Sequence, residues 1–405
     1  MRDDASMLAD SKWWSTLTQH PLVELIKSNS LLLVAAGVAL LALSVVSQRR
    51  VTLFIPLAAL ILLANVGYAG YRSSFESPDL GIKIFTGALF YLTIILACTN
   101  IAYRSGPGTF LNVICDSFFF ISSAVIFINI FNILTGNGFV TGNPRLFGTT
   151  SHPNFLGVQL AIFSIINVMT FFRCSGKMRW LAAGVFACGF GLLVLTGSRT
   201  GLLIFVTGVF FSYWARSRFS IQTWLLSAVL AMVFAAVVVL LIYGNDSSGA
   251  AADPFARQGA QFDTRSGAWG YLWDRIVEDP IWGMGTFGLA SENSFLRGWA
   301  AFGVLYLVMF SSVALISFFR LRVTCRELGF GSEVCYLFGL FVAILFGSVL
   351  EGYLTEVLGV PILFWIILTV TSGLSVYVRQ QQTSLRGRQP RPNRNEIPTP
   401  SLPIR

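Results

Sequence analysis

"VCYLFGLFVAILFGSVL", Val334 to Leu350, carries no charged residue and no alternation of apolar and polar positions. A transmembrane strand would be about ten residues of alternating polarity, whereas a helix crossing the hydrocarbon layer needs a continuous apolar run of roughly 17–25. The run therefore predicts a membrane helix. Comparable runs lie at 30–47, 51–70, 82–102, 109–134, 155–172, 180–196, 200–215, 222–243, 297–319 and 357–378, about eleven in all. The stretch 13–29, "WWSTLTQHPLVELIKSN", either lies on the membrane surface or makes a poor extra span. The expected fold is an all-α, polytopic transmembrane helix bundle of about 11–12 spans with one large outer loop.

Composition points the same way. Of 405 residues, 55% are hydrophobic and 12% charged, and the mean hydropathy is +0.70. Such a chain cannot cover itself with a polar surface, which excludes an ordinary soluble domain. The opening residues, "MRDDASMLADSKWW", lack the apolar core and small-residue site of a cleavable signal peptide.

Orientation follows from the basic residues in the connections. Arg49 and Arg50, Arg104, the set Arg173, Lys177 and Arg179, the pair Arg216 and Arg218, then Arg320, Arg322 and Arg326, and finally the tail occupy every second connection. Those connections are expected on the cytoplasmic side, and the loops 71–81, 135–154, 197–199, 244–296 and 351–356 on the other. The expected division is a polar or interfacial segment over 1–29, spans one to eight over 30–243, a large periplasmic loop over 244–296, spans nine to eleven over 297–378 and a disordered basic cytoplasmic tail over 379–405. The net charge of +9 then belongs to topology and to contact with membrane lipids rather than to nucleic acid. The six cysteines, Cys98, Cys115, Cys174, Cys188, Cys325 and Cys335, fall in spans or on the cytoplasmic side, and His20 and His152 are the only histidines. Neither a disulfide framework nor a metal site is expected, and no cofactor.

Three polar insertions on the outer side carry the candidate chemistry. In 244–296, a loop too long to be a mere connector, Trp269, Leu272, Trp273 and Ile276 recur at helical spacing and Pro280 ends the pattern. This predicts an amphipathic helix on the bundle, with its tryptophans at headgroup level. In "LTGSRTGLL", Leu195 to Leu203, Ser198 and Arg199 stand between two apolar runs, where an arginine snorkels, pairs or serves a wet cavity. In "NPRLFGTTSHPNFLG", Asn143 to Gly157, Pro153 suits a first helical turn and His152 or Ser151 a cap. Arg145, Arg199 and Arg265 together make a basic pocket at the membrane boundary, and guanidinium forks suit phosphate oxygens. An anionic lipid headgroup is the expected ligand, a lipid diphosphate matching best. Glu292, with Asn293 at the lip of the ninth span, could accept a hydroxyl proton, balance the arginines or cap a helix.

"GSRTG", Arg265 with Trp269 four residues later, "EDPIWGMGTFG" and "ENSFLRGWAAFG" (292–303), preceded by "GTTSHPNFLG", together resemble the bacterial O-antigen ligase and Wzy-type polysaccharide polymerase superfamily. The resemblance covers about residues 143–306. It implies a metal-independent, inverting glycosyltransferase on the periplasmic face of the inner membrane, using undecaprenyl-diphosphate-linked oligosaccharide. Chain-length regulators and other polysaccharide assembly proteins are the partners it implies. By the same resemblance Arg199 and Arg265, with Arg145 beside them, hold the donor diphosphate. The residues themselves leave the acceptor to Glu292 with Asn293, or to His152, and leave Trp269 and Tyr271 open between stacking on sugar and anchoring at the interface. The ligases carry His-Asn where this chain has Glu292-Asn293, so a repeat-unit polymerase is expected ahead of a ligase acting on lipid A core. A transporter or flippase of the same lipid-linked oligosaccharide, with Asp116 as a coupling carboxylate inside a span, is the alternative outside enzymes, and a structural membrane scaffold is a third.

Overall fold

The computed structural model describes residues 20–47, 55–140, 143–150, 152–216, 264–286, 292–329, 333–355 and 359–374. These residues form helices α1 (Pro21–Ser28), α2 (Ser30–Val46), α3 (Leu57–Glu76), α4 (Pro78–Ser105), α5 (Pro107–Leu134), α6 (Pro153–Arg173), α7 (Gly176–Leu195), α8 (Arg199–Arg216), α9 (Thr264–Glu278), α10 (Ser294–Leu328), α11 (Glu333–Leu350) and α12 (Val360–Ser372). Every expected span except 222–243, which lies outside the described residues, coincides with a helix. By length and composition α4, α5, α6, α7, α10 and α11 are long and apolar enough to cross a membrane. α3 and α8 are long enough but carry charges, Arg72 and Glu76 on one and Arg199 and Arg216 on the other, while α2 and α12 are shorter. Phe120, Phe127, Leu134, Phe172 and Trp180 stand exposed on the outside of the bundle, a surface that lipid accepts and water penalises. The protein is a multi-pass helical membrane protein.

The turns are set by residues whose backbone suits them. Pro78, Pro107 and Pro153 sit in first helical turns, where a missing N–H costs nothing. Gly106, at φ 80°, alone joins α4 to α5, a conformation that a side chain would strain.

α6 and α11 are the most enclosed spans. α8 lies against α11 so closely that a Cβ at Gly339 would meet Ser212 and the Gly208 carbonyl, and one at Gly208 would meet Ile165 and Ala343. Small residues at such crossings let helices gain dispersion contacts where lipid offers no hydrophobic driving force.

A short ribbon, β1 (Phe139–Val140) with β2 (Asn143–Leu146), interrupts the helices, which the hydropathy pattern did not foreshadow. It is held down by buried amides of α5. Asn129 Oδ1 accepts from the Thr149 N–H at 3.0 Å, and Asn132 Nδ2 donates to the Gly148 carbonyl at 3.4 Å.

The departure that matters most is in α10. The helix breaks at Gly303, at φ 79° and ψ −178°, and the segment after α9 plugs the break. Val304 N–H donates to the Pro280 carbonyl at 3.0 Å instead of to the preceding turn. The carbonyls of Ala300 and Ala301 accept from Met284 N–H at 2.9 Å and Gly285 N–H at 2.7 Å. Trp299 Nε1 also donates to Pro280 O, at 2.9 Å. From α3, Arg72 donates to the carbonyls of Trp282, at 3.1 Å, and Gly283, at 2.9 Å. Irregular backbone at membrane depth is tolerated only when protein satisfies it, because each orphaned group costs several kcal/mol. α9 packs on the same helix: Leu272 and Ile276 bury themselves against Ala300, Leu296 and Trp299, as their spacing predicts.

A side chain at Gly303 would collide with the Ile281 carbonyl as well as require a left-handed φ. Gly303→Ala is expected to lower the thermal midpoint of the detergent-purified protein strongly, by about 2 kcal/mol or more of stability. Gly191→Ala, in a helix with open space around the site, should leave it within about 0.5 kcal/mol. Equal midpoints for the two variants would refute the plugged-break account.

Candidate active site at one end of the bundle

The polar insertions meet at one end of the bundle. Arg145, half-buried on β2, donates from Nε to the Thr196 carbonyl at 2.8 Å and from Nη2 to Asn154 Oδ1 at 2.7 Å. Its guanidinium thus ties the ribbon to the end of α7 and the start of α6. His152 caps α6 in extended conformation, its Nδ1 accepting from the Asn154 N–H at 3.2 Å, and a T-shaped contact places its ring against Phe155. Desolvation by the surrounding protein, followed by the Arg145 charge, pushes its pKa down to about 4.

Helices α6 and α8 touch backbone to backbone beside this cap. A Cβ at Gly157 would collide with Ser198, and one at Gly201 would lie 2.7 Å from the Gly157 carbonyl. Ser198 Oγ accepts from the Gly201 N–H at 3.1 Å and so caps the start of α8. Half-buried Arg199 is the first residue of α8.

The next residue reaches across the site. Thr200 Oγ1 donates to Glu351 Oε1 at 3.2 Å, and Ser294 Oγ donates to the Glu351 carbonyl at 3.0 Å. Arg297 Nη1 donates to the Gly352 carbonyl at 3.2 Å. Glu351 is only 4% exposed. The turn that presents it is braced by Tyr353, whose hydroxyl donates to the Ile344 carbonyl at 2.6 Å. Burial, and after it the Glu351 charge, pushes the Tyr353 phenol well above its ordinary pKa. The starts of α8 and α10 and the end of α11 therefore converge on one buried residue, Glu351, α8 at its carboxylate and α10 at its main-chain carbonyl.

Asn293 is the cap of α10. Its Oδ1 accepts from the Phe295 N–H at 3.0 Å and the Leu296 N–H at 3.2 Å. Its φ of 64° is the one positive value at a non-glycine among the described residues, the kind of strain that collects at functional sites. Glu292 does not make the cap that its position suggested; it stands half-buried one residue outside. The amide oxygen of Asn293 is thereby committed to the backbone.

Arg265 lies in the first turn of α9, but its side chain is outside the described residues. Trp269 is half-buried, and Tyr271 lies exposed beneath the Arg275 guanidinium, 5.2 Å from the ring centre. Asp116 is far from all of these. It pairs with Arg173, whose Nη1 also donates to the Asn112 carbonyl, at the opposite end of the bundle. Its side chain is 68% exposed, and it ties α5 to α6 as a helix-packing partner.

The insertions thus gather at one end of a membrane bundle, as a membrane-embedded enzyme requires. Residues 182–310 match the family model described as O-antigen ligase, overlapping the stretch whose motifs resemble the O-antigen ligase and Wzy-type superfamily. The match covers less than half of the chain, with Arg199, Arg265, Glu292 and Asn293 inside it and Arg145, His152 and Glu351 outside. No curated protein matches the chain. The family is one of membrane glycosyl-transferring enzymes, and its description favours the ligase over the polymerase expected from Glu292.

With two histidines in the chain, the state of His152 is directly readable. The unfolded chain takes up a proton near the ordinary value of about 6.5, the folded one only near 4. Protonation therefore opposes folding, and stability falls as the pH drops through that window. Nitrogen-15 histidine spectra in detergent, assigned with His152→Gln, are expected to show a neutral His152 ring from about pH 8 to 5.5. A midpoint near 6.5 would contradict the described surroundings.

Proposed function

We propose that the protein is a glycosyltransferase that moves a saccharide from a polyprenyl diphosphate to an acceptor hydroxyl at the periplasmic face of a bacterial inner membrane. The observation that carries this reading is the family match over 182–310 around an arginine, Arg199, at the start of a helix in a converging polar end. In the proposed reaction the acceptor oxygen attacks the anomeric carbon while the bond from that carbon to the diphosphate oxygen breaks. The electron pair leaves with the diphosphate, and Arg199 and Arg265 stabilise its growing charge. The hydroxyl proton passes to a nearby base, Glu292 or the neutral ring of His152. Arg145 has a supporting part, because two of its nitrogens already hold the site together.

Ligation to lipid A core is the first reading, favoured by the description of the matched family. Polymerisation of repeat units is the second, favoured by Glu292 standing where the resembling ligases have histidine. In nanodiscs, without metal, the protein is supplied with polyprenyl-diphosphate oligosaccharide, with and without lipid A core, and products are followed by gel and mass spectrometry. A single core-linked product is expected, reduced at least about 100-fold in Arg199→Ala at unchanged protein level. A ladder formed without core would make the protein a polymerase. No covalent product with any matched pair would sink the enzyme reading in favour of a lipid-linked oligosaccharide transporter.

A further inference from the structure

Glu351 is placed where a carboxylate should not be stable by itself. It continues α11, with its N–H bonded to the Gly347 carbonyl at 2.8 Å, so it sits at the negative end of its own helix dipole. Burying an ion costs several kcal/mol unless partners offset it. The Thr200 hydroxyl of α8 offsets it directly, while Ser294 and Arg297, bonded to the main-chain carbonyls of Glu351 and Gly352, bring the start of α10 and a guanidinium close by. These groups also suit the diphosphate of the donor proposed above. Among the described residues, Arg297 on α10 is held beside Glu351 at the Gly352 carbonyl, Tyr353 on its own turn feels its charge, and Arg199 directly precedes Thr200 on α8.

We propose that Glu351 is the internal counter-ion and positioning residue of the donor site. Through its carboxylate bond to Thr200 and its main-chain carbonyl bond to Ser294, Glu351 keeps the Arg199–Thr200 start of α8 in register with the Ser294 start of α10 while the site is empty. Its negative charge then limits how tightly the site holds a diphosphate, which lets the polyprenyl-diphosphate product leave. This inference rests on the diphosphate-donor reading. It adds a residue outside both the matched domain and the resembling motifs.

The test uses full-length protein in phosphatidylcholine nanodiscs, with undecaprenyl diphosphate as probe and undecaprenol as the uncharged control. Glu351→Gln keeps an oxygen that can accept from Thr200 and removes the charge. Its affinity for the diphosphate should rise at least about threefold, since a like charge nearby in a partly buried site opposes binding. Multiple-turnover transfer should fall about tenfold as product release slows, with single-turnover transfer within about threefold of wild type. Glu333→Gln, the same charge change at the other end of α11, should do neither. Glu351→Asp keeps the charge and should bind the diphosphate within about twofold of wild type; it decides the matter if the glutamine variant does not fold. A glutamine variant with unchanged or weaker affinity, or an aspartate variant that tightens like glutamine, overturns the inference alone. A wild-type protein that does not prefer the diphosphate over the alcohol overturns the donor reading, and the inference with it.

Discussion

Everything at the candidate site hangs on one constraint, that backbone amides and carbonyls cannot be left bare in surroundings without water. The break of α10 at Gly303 exposes such groups in the middle of a membrane-length helix. The segment 280–285 answers them one for one, carbonyl to amide and amide to carbonyl. Glycine is required at 303 because the partner is backbone and comes closer than any Cβ permits. The same exchange fixes α9, since the chain that plugs the break is the chain that follows it. Arg72 closes the arrangement from α3 by taking two further carbonyls of the plug.

The site itself is built from helix ends. Starts of α6, α8 and α10 and the end of α11 face one another, and short polar side chains, Asn154, Ser198, Thr200, Asn293 and Ser294, satisfy the free backbone or link one end to the next. Such an end is electrostatically positive without any metal, because helix starts and arginines add in the same direction. A buried carboxylate is then an expected component rather than an anomaly.

The helical spans were legible because apolar runs of membrane length have one solution, and the face of α9 because Leu272 and Ile276 repeat at helical spacing. The converging motifs were legible as polar residues set into apolar sequence. Other features could not be read. Position puts Glu351 in the outer loop 351–356, where pairing with an arginine and contact with sugar are both open, but its burial is decided by Thr200 and Ser294, far away in the chain. Arg297 lay inside what hydropathy marks as a span. Position alone offers Glu292 as the cap of α10, and the structure puts the Asn293 amide there instead. The break at Gly303 has a hint in the paired "WGMG" and "AAFG", but glycine in a membrane helix is common enough that only the meeting of the two stretches reveals it.

The break also bears on how such a chain crosses the bilayer. After the break the charge-free stretch 304–319 would be only about 24 Å long at about 1.5 Å per residue, short of the ~30 Å of a hydrocarbon core. The charge-free run reaches that length only when it is counted from 298, on the other side of Gly303. A complete crossing therefore uses residues on both sides of the break, and the plug that satisfies the broken backbone also completes the span.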